Sequence, residues 1–191
     1  MNVSYSIMAH PSRQRYVDFL QRKLGPIPVA WAKPPYAEAG YREPVWLTCR
    51  AAMRLHIDAP FHCVIQDDAL PCPDFQERVE ALVQNGDYIY QLFYRNKGSW
   101  PEVKKLAAPG VDFTYRGRLL GPAVVYPTRI LPDLIDACDA MDARLGSDDR
   151  IKVWAAANID TYVPLPSLVD HRVGRSLVGH PERRVAWKVA S

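Results

Sequence analysis

"FHCVIQDDALPCPDF", residues 61–75, brings three patterns together in one short span. Phe61 to Gln66 is an apolar run of strand length, Asp67 and Asp68 stand side by side behind it, and Pro73 opens a new helical periodicity. A hydrophobic strand that leaves the core straight into two like charges needs a physical reason. Adjacent carboxylates repel one another unless a cation, an arginine or hydrogen-bond donors compensate them. Either the pair caps a turn, where Asp is favoured, or it holds something positive.

Upstream of this stretch, strand and helix patterns alternate. "NVSYSIMAH" reads as a strand, followed by a helix with Tyr16, Val17, Leu20 and Leu24 on one face, stopped by Gly25 and Pro26. "PVAWA" is a second short strand, and "EPVWLTCRAAMRLHID" a helix with Pro44 in its first turn. After the acidic pair, Phe75, Val79, Leu82 and Val83 share a helix face, and "DYIYQLFY" is a fourth strand. This βαβαβαβ order predicts a single α/β domain over residues 1–191, Rossmann-like, with a mainly parallel sheet flanked by helices.

The second half breaks the alternation. Residues 95–121 are rich in Gly, Pro, Lys and Arg and hold at most short strands, as a binding loop would. "PAVVYP" reads as a strand. Leu131, Leu134, Ile135, Cys138, Met141 and Leu145 predict one amphipathic helix, "DDRIKVWAAAN" a second, and "YVPLPSLVDHR" an extended segment before a Gly- and Arg-containing tail.

Composition narrows the function classes. The chain has 191 residues, 48% hydrophobic and 24% charged, with a net charge of +3 and no polybasic run. That mild balance permits a phosphate-bearing partner without demanding one. No apolar run reaches the length of a membrane span, and the amino terminus lacks a secretory pattern. The four cysteines show no CxxC spacing, which predicts reduced side chains in a cytoplasmic protein. A P-loop, a GxGxxG fingerprint and a GxSxG elbow are all absent from the sequence.

"VIQDDALPCPDF" resembles the strand–acidic–turn signature of glycosyltransferases with the GT-A fold. It is most similar to family 25 and to small phage-encoded glycosyltransferases. Gln66 stands where that family usually has a first acid, so Asp68 is the better match to its metal-binding carboxylate. Weaker likeness runs through "RQRYVDFLQRKLG", "GPAVVYPTRILPDLIDA", "SDDRIKVWAAAN" and "LPSLVDHRVGRSLVGH". The resemblance implies a GT-A-like domain with a nucleotide-sugar-binding half at 1–94 and an acceptor half with a carboxy-terminal tail at 95–191. It also implies a metal-assisted transferase using Mn²⁺ or Mg²⁺ and a nucleotide-sugar donor such as a UDP-sugar. The acceptor hydroxyl stays open, a glycan and a modified nucleobase of a nucleic acid both fitting.

The candidate residues follow from the chemistry of a diphosphate leaving group, which metal ions, cationic side chains and backbone N–H groups stabilise. Met8, His10 and Arg13 lie where the first strand hands over to the first helix, a usual place for nucleotide contacts. Trp46, Arg50 and Arg54 share a helix face that either meets the donor or splits between core and solvent. Asp67 is assigned to the donor and Asp68 to the metal, with His171 and His180 of the tail as imidazole ligands. Asp148 and Asp149 start a helix, either as dipole-favoured acids or as a base for the acceptor hydroxyl. His56 and His62 are assigned to packing or surface. Two other readings stand beside the transferase: a metal-dependent nucleotidyltransferase or phosphohydrolase, and a non-catalytic nucleotide-sugar-binding module.

Overall fold

A computed structural model describes residues 2–37, 41–56, 58–94, 112–116, 121–172 and 190. The strands are β1 (Val3–Ala9), β2 (Val29–Trp31), β3 (Phe61–Gln66), β4 (Ala69–Pro71), β5 (Ile89–Gln91), β6 (Phe113–Tyr115), β7 (Ala123–Pro127), β8 (Thr161–Val163) and β9 (Val169–His171). The helices are α1 (Gln14–Leu24), α2 (Glu43–Met53), α3 (Phe75–Leu82), α4 (Leu131–Asp139) and α5 (Ser147–Asn158).

A 7-stranded sheet runs in the order β2-β1-β3-β7-β5-β8-β6. β1 is parallel to β2 and β3, β7 is antiparallel to both its neighbours, and β5 is parallel to β8. Five strands therefore point one way, with β7 and the edge strand β6 reversed, so the sheet is mainly parallel as the alternation predicts. β4 and β9 form a separate antiparallel ribbon, with Ala69 opposite His171.

Period-two alternation assigns the two faces. Cys63 and Ile65 of β3 join Val17 and Leu20 of α1 and Phe75 and Val79 of α3 in one core. Val64 points the other way, into a core built by α2, α4 and α5 through Trp46, Met53, Leu131, Leu134 and Ile151. Each apolar helix face is covered by the sheet. All four cysteines are buried and free. Among the described residues no helix is long and apolar enough to cross a membrane.

Two boundaries differ from expectation. The apolar pattern through Met141 and Leu145 predicts a longer helix, yet α4 ends at Asp139. Buried Arg150 causes this stop: its guanidinium donates to Cys138 O at 2.8 Å, Asp142 O at 3.0 Å and Leu145 O at 3.0 Å, and it also pairs with Glu43. One side chain thus satisfies the carbonyls that a continuing helix would have used. The helix expected to open at Pro73 begins instead at Phe75, behind Asp74 in the left-handed region at φ 52. His62 is packed rather than superficial. It ties β3 to both β1 and α2, with Nδ1 2.8 Å from Ser4 Oγ and Nε2 3.0 Å from Ala52 O.

Candidate functional site

The same-pointing strands end together, and β1 and β3 end side by side because Met8 pairs with Gln66. In such sheets ligands gather beyond the carboxyl ends. Asp67 and Asp68 form the turn from β3 into β4 there, and both are buried, at 5% and 8% exposure. The backbone fixes the turn: Asp67 N donates to Met8 O at 3.0 Å and Arg172 N donates to Asp68 O at 2.9 Å.

The pair does hold something positive. Arg13 Nη1 lies 2.8 Å from Asp67 Oδ1 and 2.8 Å from Asp68 Oδ2, so a single nitrogen serves both carboxylates. Asp67 is otherwise complete, because its Oδ2 accepts from His10 N at 2.9 Å. Burial pushes the Asp67 carboxyl above its usual range, with the Asp68 charge adding to it; the His10 N–H and the Arg13 guanidinium act against that rise. Burial lowers the Arg13 guanidinium, but the two carboxylates overcome it and hold it above its ordinary value.

Asp68 is not complete. Its Oδ1 is buried with no hydrogen-bond partner among the described residues. Its Oδ2 lies 3.4 Å from His171 Nε2, across the β4–β9 ribbon. His171 Nδ1 is 2.8 Å from Arg172 O, and since a carbonyl only accepts, Nδ1 carries the proton. The remaining nitrogen, Nε2, therefore faces a carboxylate. Two acceptors so placed leave room between them for a donor or a cation, such as a bridging water or a metal ion. An imidazole that donates its far N–H to a backbone carbonyl is the usual posture of a metal-ligating histidine.

These features fit a hard divalent cation bound by one carboxylate and one imidazole, with its other positions left to phosphate oxygens and water. Among the described residues no three His, Cys, Asp or Glu side chains are placed to hold a metal by themselves. His180 lies outside the described residues, as does most of the 95–121 loop.

Of the donor candidates, Met8, His10 and Arg13 do gather at the acidic turn. Met8 contributes its carbonyl, while His10 orders the loop by holding Ser12 Oγ 2.8 Å from its Nδ1. The Trp46–Arg50 face is corrected. Trp46 is fully buried, its Nε1 donating to Asp139 Oδ1 at 2.7 Å, and Arg50 Nη1 reaches Asp139 Oδ2 at 2.8 Å. That face locks α2 to α4, and a completely covered indole has no surface left for a base or sugar.

Asp148 and Asp149 sit in the first turn of α5, both half-buried, with Asp149 3.8 Å from Arg42. α5 leads into β8, a strand parallel to β5, so the amino end of α5 lies on the same side of the sheet as the acidic turn.

Two residues escaped sequence reasoning. Tyr36, exposed after β2, packs against the His10 ring in a tilted arrangement with centroids 4.5 Å apart. The Arg172 guanidinium lies over Phe19 at 4.3 Å and Tyr16 at 4.9 Å, its buried Nε without a hydrogen-bond partner among the described residues. An aromatic behind a Pro-Pro turn was the available signal for Tyr36. Nothing local marked Arg172.

No protein-family model matches the chain, and no curated protein matches its sequence. Among solved structures, the crystal structure of A197 from STIV aligns with a TM-score of 0.55 at 16% identity, covering 100% of this chain and 97% of that one. At that identity the likeness concerns the fold, and the chain shares with A197 a Rossmann-like α/β architecture over its full length.

Proposed function

We propose that the protein is a metal-assisted glycosyltransferase that moves a sugar from a nucleotide-sugar, such as a UDP-sugar, to a hydroxyl acceptor. The observation that carries this reading is the convergence of Asp68, His171 and Arg13 at the carboxyl end of β3, with Asp68 Oδ1 buried and unpartnered among the described residues. An acidic turn beside a guanidinium suits a diphosphate bound with a divalent cation.

Asp68 and His171 would hold Mn²⁺ or Mg²⁺, which when bound supplies Lewis-acid stabilisation of the leaving diphosphate. The chain's own residues do the rest. Asp67 anchors the β1–α1 loop through His10 N and Arg13, so that the donor meets a fixed surface. Arg13 places a guanidinium next to the turn, where developing phosphate charge is stabilised. Asp148 or Asp149 removes the acceptor proton, which is the role their edge of the sheet supports.

Incubation with a panel of nucleotide-sugars, with and without Mn²⁺, tests the reading. Slow Mn²⁺-dependent donor hydrolysis is expected. Cleavage of nucleoside triphosphates instead would favour a nucleotidyltransferase or phosphohydrolase, and tight binding without turnover a binding module.

A further inference from the structure

The outward side of α1 is basic. Val17, Leu20 and Leu24 turn into the core. Arg15, Phe19 and Arg22, four and three residues apart, share the opposite side with Tyr16 and Lys23. Arg172, just past β9, lays its guanidinium over Phe19 at 4.3 Å and Tyr16 at 4.9 Å, and the Arg15 guanidinium also lies 4.9 Å from the Tyr16 centroid. Arg15, Arg22, Lys23 and Arg172 stand against one acid, Asp18, a net +3 that equals the net charge of the whole chain. The rest of the molecule is balanced.

Elsewhere arginines meet carboxylates: Arg50 pairs with Asp139, Arg129 with Asp87 and Arg144 with Asp142. None of the four cations beside α1 does so among the described residues. Asp18, one turn before Arg22, accepts from Gln14 Nε2 at 2.8 Å instead. Arg15 and Arg22 are exposed, and Lys23 donates to Pro71 O. Helix stability does not explain the pattern. Arg22 and Lys23 in the last turn suit the macrodipole, but Arg15 in the first turn opposes it, and that turn has no acid. Like charges gathered on one face repel one another, a cost that an arriving polyanion recovers.

We propose that this face of α1, with Arg172, is a docking surface for the phosphate backbone of a single nucleic-acid strand. Arg15 and Arg22 lie about 10 Å apart along the helix axis, so the face offers a row of charge to a row of phosphates. Cations interleaved with aromatic rings are the pattern of surfaces that take single strands. The rings under Arg172 restrict its guanidinium beforehand, so less freedom is lost on binding. A bilayer or a protein partner needs an exposed apolar anchor. The exposed large hydrophobics, Tyr36, Tyr41, Leu47 and Val153, all lie outside α1. The docking requires neither metal nor nucleotide-sugar and so stands apart from the transferase reading. Where both hold, the bound strand carries the acceptor hydroxyl.

The test is fluorescence anisotropy of a labelled single-stranded oligodeoxynucleotide over a salt series, without Mn²⁺ or nucleotide-sugar. For the wild type, log affinity should fall against log salt with a slope of about −3, from four contacts at about 0.7 each. Arg15→Gln and Arg22→Gln should each reduce the slope by about 0.7, and the double variant should bind about tenfold more weakly. Both residues are exposed and glutamine is a good helix former, so these variants keep the fold. Arg172→Gln should act likewise, with urea unfolding to confirm that it folds. Arg144→Gln removes the same charge from a pair elsewhere and should leave the slope unchanged. Vesicles of phosphatidylserine and phosphatidylcholine should not sediment the protein at physiological salt. No oligonucleotide binding by the wild type, or an Arg144→Gln loss equal to that of Arg15→Gln, would overturn the proposal. So would vesicle binding that Arg15→Gln and Arg22→Gln abolish, which would assign the face to a membrane. Each of these results leaves the metal-assisted reading standing, because no metal or donor is present.

Discussion

His171 Nε2 and Asp68 Oδ2 stand 3.4 Å apart because Ala69 and His171 are partners in the β4–β9 ribbon. A strand pair three residues long thus brings an imidazole from the far end of the chain to the acidic turn. It does so by backbone register, which holds whatever the side chains do.

The inequality of the aspartates predicts unequal mutants. Asp67→Asn puts an amide NH₂ against either the Arg13 guanidinium or the His10 N–H, donor facing donor, at a cost of about 1–3 kcal/mol. In Asp68→Asn the carbonyl keeps Arg13 while the NH₂ takes the unpartnered Oδ1 position, so apo stability should change little. Urea unfolding of both variants measures the difference; equal losses would mean that the two residues are interchangeable parts of a turn.

Asp68→Asn should separately remove stabilisation by the ligand. With UDP present, Mn²⁺ should raise the Tm of the wild type and leave that of the variant unmoved, because only the bound folded state gains. A variant that keeps the full Mn²⁺-dependent shift would place the cation elsewhere.

His62 should make the fold acid-sensitive. Burial, with the His56 charge adding to it, drives the ring down to about 4 against the pull of the Ala52 carbonyl. The folded state therefore refuses a proton that the unfolded chain accepts below about 6.5. Stability from this group is complete above that value and falls as the pH drops toward 4, by roughly 3 kcal/mol in all. Denaturant midpoints between pH 7 and pH 4 follow the loss. His62→Gln should flatten that part of the profile.

Trp46→Phe should weaken the fold by about 1–2 kcal/mol, through the lost bond to Asp139 and lost packing volume. Donor affinity should not change. A calorimetric loss of UDP binding in a folded Trp46→Phe protein would return this helix face to the donor pocket.

Asp149→Asn should cost less than about 1 kcal/mol, because its pairing with Arg42 at 3.8 Å is half-exposed. A fall in transfer with donor affinity preserved would then report base chemistry at the start of α5. An equal fall in donor affinity would move this acid to the donor side.

The readable parts of the sequence were those whose pattern is local. β3 announced itself as a continuous apolar run, α1 as a clean stripe, and the acidic turn by ending the β3 run abruptly. The ribbon was illegible because β4 and β9 are three residues each, too short for a period to register, and their pairing joins opposite halves of the chain. Arg13 was legible as a residue for the site but not as the partner of Asp67 and Asp68, since only the register of β1 on β3 sets that meeting. Trp46 misled because a buried stripe and a binding stripe share one periodicity; Asp139, on another helix, decides between them. Leu145 misled for a related reason, as Arg150 of the following helix takes the Cys138 carbonyl in the last turn of α4 and the Asp142 and Leu145 carbonyls beyond it.

The ribbon also imposes an order of events during synthesis. A ribosome delivers β1, α1 and β3 early, and they can associate as soon as they emerge, with Arg13 on hand to quiet Asp67 and Asp68. His171 emerges long afterwards, in the last of the described strands. Until then the nascent chain carries an acidic turn only partly offset by its own arginine, and the imidazole that faces Asp68 has yet to arrive. Arg13 is thus the first partner the turn meets, and His171 joins a pair of carboxylates that already share one guanidinium.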